Sequence, residues 1–184
     1  MIAKLFNKQP RLTTHHIKVE DLHSLRNKLQ SESKYDWETI LKFNVQRSIT
    51  KEQKNHLKRL YHRVIQSEST LIKIKNILQQ INLGVELLGE VNVNQALFPE
   101  IFKLAELKVR RGYLIRVETM TQQQKEDKYQ EVFSRKFINK ELNRVQKLID
   151  KTQYKIDQAN KKLTINIEDL GLDIAYAYER LLAA

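Results

Sequence analysis

Along much of the chain, apolar residues recur at alternating spacings of three and four, which places them on one face of a helix. The clearest series is Leu57, Leu60, Val64, Ser67, Leu71, Ile74, Leu78 and Ile81, four heptads with the period of a coiled-coil seam. It is preceded by Ile49, Thr50 and, three residues on, Gln53. The Thr50 hydroxyl is expected to accept from the Gln53 amide while the Gln53 side chain reaches back to the Thr50 amide, a reciprocal cap that starts a helix. Gly84 supplies a left-handed stop. The pattern predicts a helix over Lys51–Leu83, about 50 Å long at 1.5 Å per residue.

The same start signal returns at Met120, Thr121 and Gln124, and a second seam follows: Ile138, Leu142, Val145, Ile149, Thr152, Ile156, Ala159 and Leu163. One helix over Gln122–Leu163, about 60 Å long, is expected. Isolated helices of this kind are held mainly by burying their stripe. The expected fold is therefore all-α, with two long antiparallel, coiled-coil-like helices and shorter helices packed at one end. The seams would pack on each other or on another chain, as in a homo-oligomer or a larger complex.

The shorter elements are less regular. Val19, Leu22, Leu25 and Leu29 predict a helix over Val19–Gln30, with a connector over Ser31–Lys34. Residues 35–46 fit a helix through Trp37, Ile40, Leu41 and Asn44, and a strand through Thr39, Leu41, Phe43 and Val45; the helix is preferred. Residues 85–98 are apolar but irregular, and Pro99 suits the first turn of a helix carrying Ile101, Phe102, Ala105 and Val109. Gly112 is expected to interrupt it, and residues 113–117 fit a strand or a continuing buried helix equally. Residues 1–18 lack periodicity and are expected to be a basic arm ahead of a single helical domain over 19–184.

Composition supports few, long elements, because four Gly and two Pro are scarce punctuation for a 184-residue sheet protein. No Cys is present, which removes disulfides, thiolate metal sites and a thiol nucleophile together. No apolar run approaches the ~20 residues of a membrane span, and the first ten residues do not have the form of a secretory signal. A cytoplasmic location is expected.

Charge changes the picture most. Lys and Arg number 33 against 22 acids, a net +11. Residues 164–184 hold four acids, Glu168, Asp169, Asp173 and Glu179, and one cation, Arg180; their net −3 leaves +14 on the rest. Such asymmetry and charge point to a partner: nucleic acid, an acidic protein, or, third because the Lys-rich helix lacks Trp and Phe anchors on its apolar side, an anionic membrane face. The tail is also apolar, through Ile165, Ile167, Leu170, Leu172, Ile174, Leu181 and Leu182.

Lys136, Lys140, Arg144, Lys147, Lys151, Lys155 and Lys162 fall within about a quarter of the circumference of the second long helix, away from its seam. Successive cations lie one turn apart, about 5–6 Å, close to the phosphate spacing along one strand. Side chains so placed neutralise a DNA or RNA backbone without reading its bases. The same stripe also fits an ordinary solvated lysine face. Lys108, Arg110, Arg111 and Arg116 make a second cluster beside Tyr113, where an Arg can stack and bind phosphate, or where Tyr113 is core and the cations its rim.

Other chemistry finds no support. His15, His16, His23, His56 and His62 lack the spacing and companions of a metal site. There is no phosphate loop, nucleophile elbow or His-Glu-x-x-His, and Glu52, Glu68 and Glu86 occupy polar helical positions with no evident partner. No cofactor is implied. The sequence points to a non-catalytic accessory protein that holds a nucleic-acid backbone non-specifically through Lys136, Lys140, Arg144, Lys147, Lys151, Lys155 and Lys162, helped by Lys108, Arg110 and Arg111. The alternative is an interaction protein, an oligomeric adaptor or a phage or plasmid accessory factor or inhibitor, whose basic surface meets an acidic protein. These resemblances are of outline and charge alone and transfer no residue.

Overall fold

The computed structural model describes residues 18–82 and 97–162. The basic arm, the Gly84 stop, the irregular stretch before Leu97 and the acidic tail lie outside the described residues. Five helices, α1 (Val19–Phe43), α2 (Lys51–Asn82), α3 (Leu97–Arg116), α4 (Gln122–Glu126) and α5 (Arg135–Lys162), make the described residues all-α. The exception is a pair of two-residue strands, β1 (Val45–Gln46) and β2 (Gln130–Glu131), paired antiparallel with Val45 opposite Glu131.

α1 is one continuous helix, so Ser31–Lys34 is not a connector; the helical reading of residues 35–46 holds as far as Phe43, and Val45 and Gln46 are instead strand β1. Trp37 and Ile40 are buried at the three-residue spacing, and Thr39 returns its hydroxyl to the Tyr35 carbonyl, which suits a helix rather than a strand. Both predicted start signals form. Gln53 N donates to Thr50 Oγ1 at 3.2 Å and Thr50 N to Gln53 Oε1 at 2.7 Å. Gln124 N donates to Thr121 Oγ1 at 3.2 Å and Thr121 N to Gln124 Oε1 at 3.0 Å.

The helix opened by Thr121 is nonetheless short. Tyr129 N donates to the Gln124 carbonyl and Lys128 N to the Lys125 carbonyl, a Schellman stop in which Lys128 takes the left-handed position at φ 60°. The expected Gln122–Leu163 helix is therefore two, and α5 begins afresh where Ser134 Oγ accepts from Phe137 N. Gly112 does not interrupt α3, which continues through Arg116; residues 113–116 are helical, not strand.

Each long helix buries its seam, but not on the other. α1 packs along α2, α2 along α3, and α3 along α5; a side-by-side pairing of α2 with α5 is not among the helix packings of the described residues. Neighbouring helices run in opposite directions: Glu68 meets Arg110 while Lys75 meets Glu106, and Lys155 at the far end of α5 meets Glu100 at the start of α3. α2 thus lies between two helices and buries a face wider than its seam. The extra stripe is Tyr61, Glu68 and Lys75, one heptad apart, with Tyr61 donating to Glu141 of α5 at 2.7 Å, Glu68 bound to Arg110 and Lys75 to Glu106.

The main core forms where the ends of α1, α2, α3 and α5 converge, around Trp37, Ile40, Leu57, Tyr61, Leu114, Phe133 and Val145. Trp37 stacks on Tyr113 at 5.1 Å and meets Tyr61 edge-on at 5.9 Å, so Tyr113 belongs to this aromatic core. Asn44, at the end of α1, closes the structure. Its Nδ2 donates to the Glu118 and Phe133 carbonyls at 2.7 and 3.0 Å, and its Oδ1 accepts from Phe133 N at 2.7 Å. A fully buried amide must satisfy its polar atoms within the protein, and these bonds tie the α1–α2 turn to the segment leading into α5.

Candidate nucleic-acid interface

α5 fixes its inner face through Ile138, Val145, Ile149, Thr152 and Ile156, all buried. The opposite face follows from the helical period. Lys136, Lys140, Arg144, Lys147 and Lys151 are exposed there, one turn apart, with Asn139 and Asn143 beside them along an open trough. The acids of the helix are kept off this row: Gln146 donates to Asp150 at 2.7 Å, Gln153 to Asp157 at 2.8 Å, and Glu141 is buried against Tyr61. Among the described residues, Lys136, Lys140, Lys147 and Lys151 make no ion pair, and Arg144 has only a 3.4 Å contact to Glu141.

The other predicted cations divide. Lys155 is held by Glu100 at 2.6 Å and is half exposed, so it enters any interface already partly neutralised. Lys162 is the last residue of α5, and its side chain lies outside the described features. Lys108 and Arg111 are exposed on α3, and the antiparallel register set by Lys155–Glu100 places them level with the middle of α5. Arg116 is exposed and lies 5.5 Å from the Tyr113 ring. Arg110 is buried, 6% exposed, with Nε and Nη2 both on Glu68 Oε2 at 2.7 and 2.6 Å. Its guanidinium is spent inside the protein, and Glu68, read from sequence as a surface acid, is its partner. Burial raises the Glu68 carboxyl above its ordinary value, and the Arg110 charge and hydrogen bonds oppose that shift.

Comparison with family models, curated proteins and solved structures finds no match to this chain.

Two side chains on the outer face of α5 escaped the sequence reading. Tyr154 is 64% exposed three residues beyond Lys151, and Lys161 is exposed seven residues further on. Both follow the spacing that picks out Lys147 and Lys151, so a full helical projection reveals them. With Tyr154, the row offers an aromatic plane beside its cations, as single-strand binding surfaces do. Among the described residues no group of His, Asp and Glu is arranged to hold a metal, and no helix is long and apolar enough to cross a membrane.

Proposed function

We propose that this protein is a non-catalytic accessory factor that holds a nucleic-acid backbone along the outer face of α5, without regard to base sequence. The observation that carries the proposal is the row Lys136, Lys140, Arg144, Lys147 and Lys151, exposed and one turn apart on a helix whose opposite face is locked into the core. A helix anchored in this way presents its charges as a fixed array, so binding does not have to order the backbone that carries them. Lys108 and Arg111 extend the positive field across α3, and the overall +11 charge favours fast association with a polyanion.

The test is the salt dependence of affinity, read by fluorescence anisotropy on labelled oligonucleotides of unrelated sequence. Five neutralised phosphates give a slope of log affinity on log salt of about −3.5 to −4.5, or roughly a 100- to 500-fold loss between 50 and 200 mM salt. Reversing Lys140, Lys147 and Lys151 to Glu abolishes binding with helicity intact, whereas Lys73→Glu on α2 changes little. Absence of binding at low salt, to single strand and duplex alike, rejects the proposal.

A second reading, as an interaction or assembly protein with an acidic partner, is favoured by a different surface. The outer face of α3 leaves Ile101, Val109 and Ile115 42%, 53% and 56% exposed, beside Lys108, Arg111 and Arg116. An apolar strip with a cationic rim suits an acidic amphipathic helix. Ile115→Glu separates the two readings, because it abolishes stable co-purification of a protein partner and leaves nucleic-acid binding intact.

A further inference from the structure

Where α2 meets the start of α5 the surface opens into a cleft of about 640 Å3, within the range of small-ligand sites. Its walls are aromatic. Tyr61, Phe133 and Phe137 form a continuous ring cluster, with centroids 5.4, 5.7 and 5.2 Å apart, and Ile65 closes one side. Tyr61 and Phe133 are buried, 6% and 5% exposed, and back the cleft from the core, so the ring surface left for a ligand is that of the half-buried Phe137. Lys58, His62 and Arg144 are exposed cations or potential cations at the rim. The one acid of the lining is Glu141, whose Oε2 accepts from the Tyr61 hydroxyl and from Arg144. Burial and that bond push the Tyr61 hydroxyl far above its ordinary value, so it stays a donor to Glu141.

This chemistry selects its occupant. A carboxylate in the wall disfavours a phosphate inside the cleft, while aromatic walls favour a flat π-system. The rim cations then suit phosphates on either side of it. Arg144 belongs both to this rim and to the row on α5, so the cleft opens directly onto the proposed backbone track.

We infer that the cleft receives one unstacked base of a single strand whose phosphates follow the α5 row, which makes the protein a single-strand rather than a duplex binder. The inference rests on the proposed function and adds to it a polymer class. A duplex keeps its bases paired and stacked, and can use only the cations. A single strand gains a base–aromatic contact, expected to tighten binding roughly 5- to 150-fold.

The experiment compares a labelled oligothymidine, an abasic strand of equal length and a duplex, at one salt concentration, with the full chain. Oligothymidine is expected to bind tightest, with the abasic strand and the duplex weaker by that factor. Ile65→Trp, which fills the cleft, is expected to bring oligothymidine down to the abasic level and to leave the salt slope unchanged. Bromodeoxyuridine photocrosslinking of the unmodified protein supplies the location independently of any variant, and the crosslink is expected on Phe137, the ring of the cluster left partly exposed. Equal affinity for the abasic and thymidine strands overturns the inference while leaving the backbone proposal standing, as does a crosslink confined to Tyr154. Failure of all three ligands to bind removes both.

Discussion

Replacing Arg110 by Met is expected to destabilise the protein strongly, because it strands Glu68 in the contact between α2 and α3. Arg110 is 6% and Glu68 9% exposed, so water cannot take over the lost bonds. Breaking a buried ion pair from one side typically costs about 3–5 kcal/mol, and for a chain of this size that lowers the melting temperature by roughly 6–20 °C. The double variant Glu68→Leu/Arg110→Met removes both charges and should recover most or all of the loss. The cost should also depend on pH. Glu68 already has a raised value in the folded protein, so its favourable contribution is complete below its ordinary value of 4.5 and is lost as the pH rises through the raised one. Without Arg110 the carboxyl rises further, so the penalty should be small at pH near 4.5 and grow toward neutrality. Calorimetric melting of wild type, both single variants and the double variant at two pH values measures every part of this. A single Arg110→Met variant that melts with the wild type at pH 7 would refute the reasoning, and would return Arg110 to the candidate cations.

Two other perturbations test the scaffold that presents the row. Asn44→Ala removes three hydrogen bonds and leaves the buried Phe133 N–H without a partner; urea denaturation should show a loss of about 2–4 kcal/mol. Leu71→Asp places a carboxylate at a site 2% exposed and should cost about 4 kcal/mol or more. Leu142→Asp, at a half-buried position, should cost clearly less, and equal midpoints for the two would contradict the packing described here.

The elements legible in the sequence were those set by local chemistry. The two capping boxes, the helical period of both seams and the choice of helix over strand at Trp37 and Ile40 depend on residues within one or two turns of each other. The break at Lys128 was not legible, because the left-handed stop is filled by Lys where Gly is the usual signal, and residues either side of it keep helix-compatible composition. Pairing was not legible either. A heptad seam says that a stripe is buried, not against what, and on α3, the partner of both long helices, the positions picked out from sequence, Ile101 and Val109, are exposed while Leu107 and Leu114 form the buried face. For the same reason Arg110 and Glu68 looked like surface charges. Their burial follows from α2 having helices on two sides, which the width of a single seam does not announce. Lys75 is bound in the same contact, whereas Lys73 beside it is exposed and serves as the control on α2. The lysine row was legible because exposure on one face is the complement of burial on the other. The aromatic cleft was not, since Ile65 and Phe137 come together only in the folded chain.

Between α2 and α3 the charges alternate along each helix: Glu68 then Lys75 on one, Glu106 then Arg110 on the other. Sliding one helix by a turn sets Glu68 against Glu106 and loses both attractions, so the contact carries its own alignment key. The two helices therefore do not need the connecting residues 83–96 to find each other in the right register. Cut within that stretch, the chain becomes two pieces with complementary keys. Expressed separately and mixed, they should reassemble into one protein, which makes this fold a candidate for split-protein reporters whose signal is the recovery of the native melting transition.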